Sequence, residues 1–394
     1  MNSPEFYNSQ ALQKILVEKI ASSAQQRITF AEYMALALYH PKYGYYNSKM
    51  AKIGRSGDFF TSSSLGRDFG ELLAVQFQQM WHNLGEPKSF CLVEMGAGNG
   101  ELALDILNYF LAQSDREFIK ALRYIIIEQS PALIEVQQQK LQSHVEFDVS
   151  WKNWSELRDR SIVGCFFSNE LLDAFPVHLV TKKQDQLNEV YVSLQEGSLS
   201  EAIHPVDNDD ISDYFNRLDI NLNSAEYPDD YRTEVNLKAL DWLTTVCDRL
   251  QQGYILTIDY GYSAAKYYRP SRSQGTLQCY YQHRRHNNPY ANLGYQDITA
   301  HVNFTALERQ GEILGLETIG FTQQGLFLMA LGMGDRLNDL SSGKYDVTQI
   351  LQRRDALHQL IHPTGLGNFG VLIQGKNLTA SAKSLAGLNV PSIL

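Results

Sequence analysis

A glycine-rich turn is the first stretch of the sequence whose residue types and spacing could do chemistry. Residues 91–104 read CLVEMGAGNGELAL, so Gly96, Gly98 and Gly100 lie between an apolar run and a helix-forming segment. Glycines at such a strand-to-helix turn let the backbone approach a bound ligand closely. A tight turn that only packs a helix against a strand would use the same residues. The turn therefore predicts a ligand site, and neighbouring residues have to indicate the ligand.

Acidic residues beside the turn argue against a dinucleotide. The fingerprint G-x-G-x-x-G would require a third glycine where this chain has Glu101. A carboxylate in the first helical turn competes with a pyrophosphate for the positive end of the helix, and Glu94 adds a second negative charge. S-adenosyl-L-methionine carries a sulfonium and an ammonium but no phosphate, and E-x-G-x-G-x-G is typical of class I methyltransferases. We therefore expect this cofactor, with Glu94 orienting its ammonium group.

A second acidic residue ends the next predicted strand, RYIIIEQ. Glu128 stands where a carboxylate can accept hydrogen bonds from both hydroxyls of a ribose. Its distance from the glycines exceeds the usual spacing of about 20 residues, and a long intervening helix accounts for the difference. A solvated strand end is the alternative explanation. With the glycines, Glu128 predicts one cofactor site.

Polar residues also follow the most apolar predicted strand, SIVGCFF. Asn169, Glu170 and Asp173, in the segment SNELLDAFPVH, would leave the sheet at the same edge as the glycine turn. The D/N-P-P-Y motif of methyltransferases that act on adenine or glutamine nitrogens is absent. Carboxylates can hold a guanidinium in a bidentate manner and remove its proton, so the segment favours a cationic acceptor. Capping of a helix start would use the same residue types.

Composition limits the classes of partner. The chain has 394 residues and a formal net charge of −10, which argues against general nucleic-acid binding. No apolar run reaches the ~18 residues of a membrane span. Four scattered cysteines without a C-x-x-C pair indicate reduced thiols, and no metal site is expected. The first residues resemble neither a secretory signal nor an arginine-rich transit peptide, so we expect a cytoplasmic protein, or a mitochondrial one if the source is eukaryotic.

Alternating elements must position these residues. Residues 90–170 alternate between strand and helix, which predicts a parallel sheet covered by helices on both faces. Helices are predicted within 8–40 and 69–81, and antiparallel strands within 177–200. Near the end of the chain, GFTQQ and NFGVLIQGK are predicted to close the sheet as an antiparallel pair.

Six motifs occur in an order that resembles a known family. They are GDFFTSSS, LVEMGAGNGELALDIL, SNELLDAFPVH, IDYGY, GTLQCYYQHRRHNNPY and DITAHVNFTALERQGE. The chain is identified as a member of the MidA-like family, whose mitochondrial members are complex I assembly factor protein arginine methyltransferases. The resemblance implies an α/β fold: a Rossmann-like class I methyltransferase core with a mostly parallel seven-stranded sheet, an N-terminal helical extension and an inserted α+β excursion.

The resemblance also implies a substrate, a set of site residues and a division of the chain. The substrate would be an arginine of a complex I-type large hydrophilic core subunit, dimethylated symmetrically. The acceptor set would be Asn169, Glu170 and Asp173, and the cofactor set Glu94, Gly96, Gly98, Gly100, Glu128, Gly57, Asp58 and Thr61. We expect an N-terminal helical segment and loop at 1–88, the first half of the core at 89–176, the excursion at 177–232, the second half of the core at 233–376 and a tail at 377–394.

Some features leave alternatives open. Ser63, Ser64 and Asn303 replace residues that the family usually has, a proline and two acids. His301 is expected to be structural, and the basic cluster 283–286 is either a solvated loop or a site for a carboxylate of the cofactor or of a protein substrate. The alternative functions are a non-catalytic respiratory-complex assembly chaperone and an NAD-dependent oxidoreductase. A homodimer is left open.

Overall fold

The structure is a computed structural model that describes residues 4–47, 62–282 and 284–389. Within these ranges the strands are β1 (Arg27–Thr29), β2 (Phe90–Met95), β3 (Leu122–Ile127), β4 (Asp148–Lys152), β5 (Ile162–Asn169), β6 (His178–Lys183), β7 (Gln186–Gln195), β8 (Ser198–Pro205), β9 (Arg232–Val235), β10 (Leu250–Asp259), β11 (Gly261–Tyr262), β12 (Gln278–Tyr281), β13 (Arg284–His286), β14 (Asp297–Thr299), β15 (Val302–Asn303), β16 (Glu317–Gln323) and β17 (Gly370–Lys376). The α-helices are α1 (Pro4–Ser22), α2 (Phe30–Tyr39), α3 (Asp68–Asn83), α4 (Glu101–Gln113), α5 (Arg116–Ala121), α6 (Pro131–Leu141), α7 (Asp209–Arg217), α8 (Leu237–Arg249), α9 (Ala264–Tyr267), α10 (Phe304–Ile313), α11 (Gln324–Leu328), α12 (Gly334–Asp339) and α13 (Val347–Ile361).

A seven-stranded sheet forms the centre of the described structure, in the order β16-β17-β10-β5-β2-β3-β4. The five strands from β10 to β4 pair in parallel, and β17 and β16 complete the sheet as antiparallel strands. Apolar side chains of α3 and α4 pack in one buried cluster, and those of α8 and α10 pack in another that also contains strand residues. The predicted class I methyltransferase fold is confirmed, including the late antiparallel pair.

A second sheet joins the N-terminal helices to the excursion. Strands β1, β7, β6 and β9 pair in that order, with β8 on β7, and α1 and α2 pack against this sheet. A capping box formed by Thr29 and Glu32 fixes the start of α2. The short strands β12, β13 and β14 form a separate three-stranded sheet, whose buried residues Cys279 and Ile298 join the same apolar cluster as α1 and α2.

Two predicted elements have different bounds in the structure. The sequence HVEFDV, residues 144–149, predicts a strand, but β4 begins only at Asp148; Val145 is 82% exposed and pairs with no strand. The sequence TEVNLKALDWLTTVCDRLQQ predicts a helix from Thr233, but α8 begins at Leu237, because Asn236 accepts the Ala239 N–H as an N-cap. The four cysteines are free, and none of the helices in the described ranges is long and apolar enough to span a membrane. The proposed division of the chain stays a prediction.

An ion pair fixes the C-terminal helices to α3. Arg353 of α13 donates from Nε and Nη2 to the two carboxylate oxygens of Asp68, at 2.9 and 2.6 Å, and Asp68 is 5% exposed. Removing the cation would leave a buried carboxylate without its partner, which is much costlier than losing an exposed pair.

We predict that Arg353→Met lowers the free energy of unfolding by about 3 kcal/mol. The matched control is Arg354→Met on the next position, where the side chain is 50% exposed and the expected loss is below about 0.5 kcal/mol. Urea denaturation followed by circular dichroism measures both values. Equal losses in the two variants would contradict the structural role of the Asp68–Arg353 pair.

Candidate active site

Three neighbouring strands end at one edge of the central sheet. In the parallel pairing of β2 with β5, Met95 lies opposite Ser168, and in that of β5 with β10, Asn169 lies opposite Ile258. The glycine turn and the segment that begins at Asn169 therefore leave the sheet side by side. The order of the strands reverses between β2 and β5, which is where ligands bind in open α/β sheets.

A cavity of about 810 Å³ opens at this edge, within the ~300–1,000 Å³ of small-molecule sites. The predicted site residues that line it are Glu94, Gly96, Gly98, Glu128, Asn169, Glu170 and Asp173. It brings together residues of the first half of the core with Tyr39 and Tyr46 from the N-terminal segment and with Tyr260 and Asp297. Gly57, Asp58 and Thr61 lie outside the described residues.

The glycine turn has a backbone that requires glycine. Gly96 and Gly100 have φ angles of +73° and +79°, in the left-handed region that side chains disfavour. A Cβ at Gly96 would come within 2.8 Å of Leu171 Cδ1, so the turn also packs directly against the segment after β5. Gly100 does not line the cavity; it precedes α4, and a Cβ there would lie 3.3 Å from Gln137 Cγ.

Gln137 ties the glycine turn to the strand-end carboxylate. Its buried Nε2 donates to Gly98 O at 2.7 Å and to Glu128 Oε2 at 3.3 Å, while its Oε1 accepts from Trp151 Nε1 at 2.8 Å. Backbone N–H groups of Gln129 and Ser130 donate to Glu128 Oε1 at 2.8 and 2.9 Å. Burial raises the pKa of Glu128, and these hydrogen bonds lower it. The carboxylate is thus held in one orientation at the cavity wall.

The other two acids of the turn differ in their surroundings. Glu94 is buried and accepts from Tyr124 Oη at 2.6 Å; burial raises the pKa of Glu94 to about 7, and this hydrogen bond opposes the shift. Glu101 forms an ion pair with Lys140 and does not line the cavity. Glu101 therefore repels an anion less than its position in the sequence predicts, because Lys140 of α6 compensates its charge.

Glu170 begins the acceptor side of the cavity in a strained conformation. Its φ angle is +52°, which is uncommon for a residue with a side chain and is often associated with functional sites. Glu170 Oε1 accepts from Ser62 N at 3.0 Å and from Asn169 Nδ2 at 3.2 Å. Burial raises the pKa of Glu170 to about 8, and the negative charge of Asp173 adds to the shift.

Asp173 and Asn169 each direct an oxygen atom that lacks a partner. Tyr260 Oη donates to Asp173 Oδ2 at 2.5 Å. Within the described ranges, Asp173 Oδ1 and Asn169 Oδ1 are buried and accept no hydrogen bond. Buried acceptors are normally satisfied, so two of them at one cavity indicate a site for a donor. The amide and the carboxylate together suit a ligand that is rich in N–H groups.

Asp259 holds the backbone that carries Asp173. Its Oδ2 accepts from Leu172 N and Asp173 N at 3.0 and 3.3 Å, and its Oδ1 accepts from Tyr260 N at 2.8 Å. Burial, followed by the charges of Asp173 and Glu170, raises the pKa of Asp259. Asp259 is fully buried and does not line the cavity, so it acts as a strand-end cap.

Two stacked tyrosines complete the acceptor side. The rings of Tyr39 and Tyr46 have centroids 5.4 Å apart at 25°. Tyr39 Oη donates to Ala174 O at 2.8 Å, and Tyr46 Oη lies 2.9 and 3.0 Å from the carboxylate oxygens of Asp297. Aromatic rings and carboxylates in the same wall favour a bound cation. Sequence patterns missed Tyr39, Tyr46 and Asp297, because only the packing of α2 and β14 brings them to the strand ends.

Asn303 and Ser63, two of the positions where this chain departs from the family, differ in their relation to the cavity. Asn303 accepts the Ala306 N–H as the N-cap of α10 and donates to Tyr214 Oη, away from the cavity. Ser63 lines the cavity. The loss of an acid at position 303 therefore does not change the charge of the acceptor wall.

Comparisons with known proteins agree with this geometry. A family model described as "Putative S-adenosyl-L-methionine-dependent methyltransferase" matches residues 72–322. The chain belongs to the MidA-like family of S-adenosyl-L-methionine-dependent methyltransferases. It is 30% identical, over 92% of its length and 86% of the relative, to the mitochondrial protein arginine methyltransferase NDUFAF7 homolog of Caenorhabditis elegans. The Drosophila melanogaster homolog of the same name is 29% identical over 84% of this chain and 77% of the relative.

A solved structure with a bound ligand is also similar. A superfamily member from Burkholderia thailandensis, crystallised with S-adenosyl-homocysteine, superposes with a TM-score of 0.85 at 30% identity and covers 98% of this chain and 97% of its own. The expected cofactor, S-adenosyl-L-methionine, is thereby confirmed, and the NAD-dependent alternative is not supported. The curated relatives are named mitochondrial, which agrees with the expectation for a eukaryotic source; a cytoplasmic location has no support in these comparisons.

The residues present fit this cofactor. The left-handed glycines let the backbone of the turn approach a ligand, the oriented Glu128 carboxylate can accept from the ribose hydroxyls, and the buried Glu94 can receive an ammonium. These three roles stay predictions for the individual residues. No phosphate-binding cation is needed for a ligand without a phosphate.

We predict that Gln137→Glu weakens S-adenosyl-L-methionine binding by about 10-fold. The substitution keeps the size of the side chain but removes the N–H donor that joins Gly98 O to Glu128, and it adds a like charge beside Glu128. Gln138→Glu is the matched control, since the neighbouring side chain is exposed. Isothermal titration calorimetry gives both affinities, and equal values for the two variants would refute the positioning role of Gln137.

Proposed function

We propose that this methyltransferase transfers a methyl group to an arginine side chain of a protein. The observation that carries the proposal is the pair of buried, unpartnered acceptor atoms, Asn169 Oδ1 and Asp173 Oδ1, beside Glu170 at the cavity wall. A guanidinium presents five N–H donors in a planar fork and can satisfy both oxygens. The names of the curated relatives, protein arginine methyltransferases, support the same acceptor.

The chain's own residues would bind and orient the guanidinium and accept its proton. S-adenosyl-L-methionine supplies the methyl group, and S-adenosylhomocysteine is the product that leaves. Asp173, held through Oδ2 by Tyr260, offers Oδ1 to the guanidinium and localises its charge away from the attacking nitrogen. That nitrogen forms the new N–C bond and loses one proton, which Asp173 or Glu170 accepts. The methylated guanidinium keeps its positive charge, so one proton is released in each transfer.

The proton held by Glu170 sets the expected pH dependence. Because burial raises the pKa of Glu170 to about 8, this carboxyl is mostly protonated at pH 7 in the free protein. A protonated carboxyl attracts a guanidinium less than a carboxylate does. Acceptor binding therefore strengthens as the pH rises through about 8 and weakens as the pH falls below it.

The test is methyl transfer from labelled S-adenosyl-L-methionine to arginine-containing peptides. Asp173→Asn should lower kcat/KM by about 100-fold or more, because it removes a base and a charge while keeping the shape of the side chain. Gly98→Val should abolish cofactor binding, whereas Asp248→Asn, on an exposed position of α8, should change neither value. The proposal would be contradicted if no arginine peptide and no protein of a proteome-wide extract accepted the labelled methyl group.

The pH prediction has its own measurement. The KM for the peptide should fall as the pH is raised from 6.5 to 8.5 in the wild-type protein, and Glu170→Gln should flatten this profile at a high KM. The affinity for S-adenosyl-L-methionine is measured at each pH as well. This measurement separates the change in peptide binding from any change in cofactor binding caused by the titration of Glu94. An unchanged profile in Glu170→Gln would exclude Glu170 from the acceptor site.

A narrower substrate follows from the family resemblance. We propose an arginine of a complex I-type large hydrophilic core subunit as the acceptor and symmetric dimethylarginine as the product. Mass spectrometry of that subunit, with and without this gene, tests both points. A homodimer is also kept as a proposal, which sedimentation of the purified protein would decide.

The alternative of a non-catalytic assembly chaperone predicts a different result in cells. The N-terminal helices and the excursion enlarge the surface beyond the core, which a chaperone could use. Cells that carry Asp173→Asn should lose methylation and complex assembly together if catalysis is the function. Normal assembly without methylation would favour the chaperone.

A further inference from the structure

A row of side chains leads from the acceptor side of the cavity to the surface. In the three-stranded sheet, Tyr280 of β12 lies directly opposite Arg285 of β13 on one side and Asp297 of β14 on the other. Residues that are opposite each other on paired strands share a face of the sheet, so these three side chains form one row. Asp297 lines the cavity at the inner end of the row, and Arg285 is exposed at its outer end.

The charged groups along this row act on its central residue. Burial raises the pKa of Tyr280, and the negative charges of Asp173 and Asp297 add to the shift, whereas Arg285 lowers the pKa. Tyr280 therefore lies between the guanidinium of Arg285 and the carboxylates of the acceptor wall. Arg285 takes part in none of the ion pairs between described residues.

A second path of aromatic rings leads from Asp173 to another arginine. Tyr260, which donates to Asp173, meets the ring of His301 edge-on with centroids 4.9 Å apart. The other side of His301 stacks on Tyr262 at 5.0 Å and 11°, and the guanidinium of Arg272 lies 4.1 Å from the centre of the Tyr262 ring. His301 thus sits between the reacting carboxylate and Arg272.

The charges of both arginines act on His301. Burial lowers the pKa of His301 to about 4, and the positive charges of Arg272 and Arg285 both contribute to the shift. The ring is therefore neutral at pH 7, and its Nδ1 is buried without a hydrogen-bond partner in the described ranges. The guanidiniums of Arg272 and Arg285 therefore give this region a local positive charge, on a chain whose formal net charge is −10.

We propose that Arg285 and Arg272, together with the neutral ring of His301, form a rim that binds an acidic side chain next to the target arginine of the protein substrate. This inference rests on the proposed arginine methyltransferase function and specifies the sequence that surrounds the arginine. The acceptor wall attracts a cation, and the rim attracts an anion outside it. A substrate segment that carries both charges in the right order is selected over one with basic neighbours.

The spacing of the strands limits where the acidic residue lies. Arg285 and Asp297 are on strands separated by one other strand, so their backbones are about 10 Å apart. An extended peptide advances about 3.3 Å per residue. With Asp297 taken as the inner end of the row, we expect the acidic residue within about three residues of the arginine.

The test compares two peptides that contain one central arginine. One carries glutamate at the three positions on each side of it, and the other carries lysine at those positions. The wild-type protein should methylate the glutamate peptide with a kcat/KM about 10-fold higher than that of the lysine peptide, because glutamate forms exposed ion pairs with the two arginines of the rim. Arg285→Glu should remove or reverse the preference, and the preference should shrink as salt is raised from 50 to 500 mM.

Arg284→Glu is the matched control. Arg284 is the adjacent residue of β13, is exposed, and points to the opposite face of the sheet because side chains alternate along a strand. The Arg284→Glu substitution changes the charge by the same amount as Arg285→Glu, and this variant should keep the wild-type preference for the glutamate peptide. Thermal unfolding and S-adenosyl-L-methionine affinity should be unchanged in both variants, which excludes misfolding as the cause.

Binding is measured in parallel by fluorescence anisotropy of both labelled peptides with protein saturated with S-adenosylhomocysteine. The rim would be overturned if the two peptides had equal kcat/KM and equal binding. It would also be overturned if Arg284→Glu lost the preference to the same extent as Arg285→Glu. In either case, methylation itself still supports the proposed function. The absence of methylation on every arginine substrate would instead overturn the proposed function. In that case a tighter, Arg285-dependent binding of the glutamate peptide still supports the rim as a docking site.

Discussion

Parallel pairing between β2 and β5 is the constraint on which the rest of the site depends. It places Met95 opposite Ser168, so that the glycine turn and the Asn169 segment emerge side by side where the order of the strands reverses. Leu171 then packs against Gly96, where a Cβ would come within 2.8 Å of Leu171 Cδ1. A slip of one residue in this pairing would turn every side chain of β5 to the other face and separate the two halves of the site.

Several polar groups are held in unfavourable states where these strands end. Glu170 has a left-handed backbone, burial raises the pKa values of Glu170 and Asp259, and oxygen atoms of Asn169 and Asp173 lack partners. Such features persist only where the surrounding fold holds them in place. Here Asp259 accepts three backbone N–H groups and fixes the turn that carries Asp173. The binding of a cation would relieve the unfavourable charges and satisfy the oxygens together.

The parts of the site that sequence could predict lie on long apolar strands. The runs ending at Glu94, Glu128 and Asn169 are unmistakable, and parallel strands of one sheet bring their ends to the same edge. Gln137 could not be found this way, because it lies within a helix pattern and acts through contacts with Gly98 and Glu128. Arg285 and Asp297 lie on strands of three residues, which are too short to show a period. Their position follows only from tertiary packing.

The central claim is that the two unpartnered oxygens beside the glycine turn receive a guanidinium. A crystal structure of the protein with S-adenosylhomocysteine and an arginine-containing peptide tests it most directly. We expect guanidinium nitrogens within about 3.2 Å of both Asn169 Oδ1 and Asp173 Oδ1. A guanidinium bound away from both atoms, with these oxygens satisfied by another group of the chain, would contradict it.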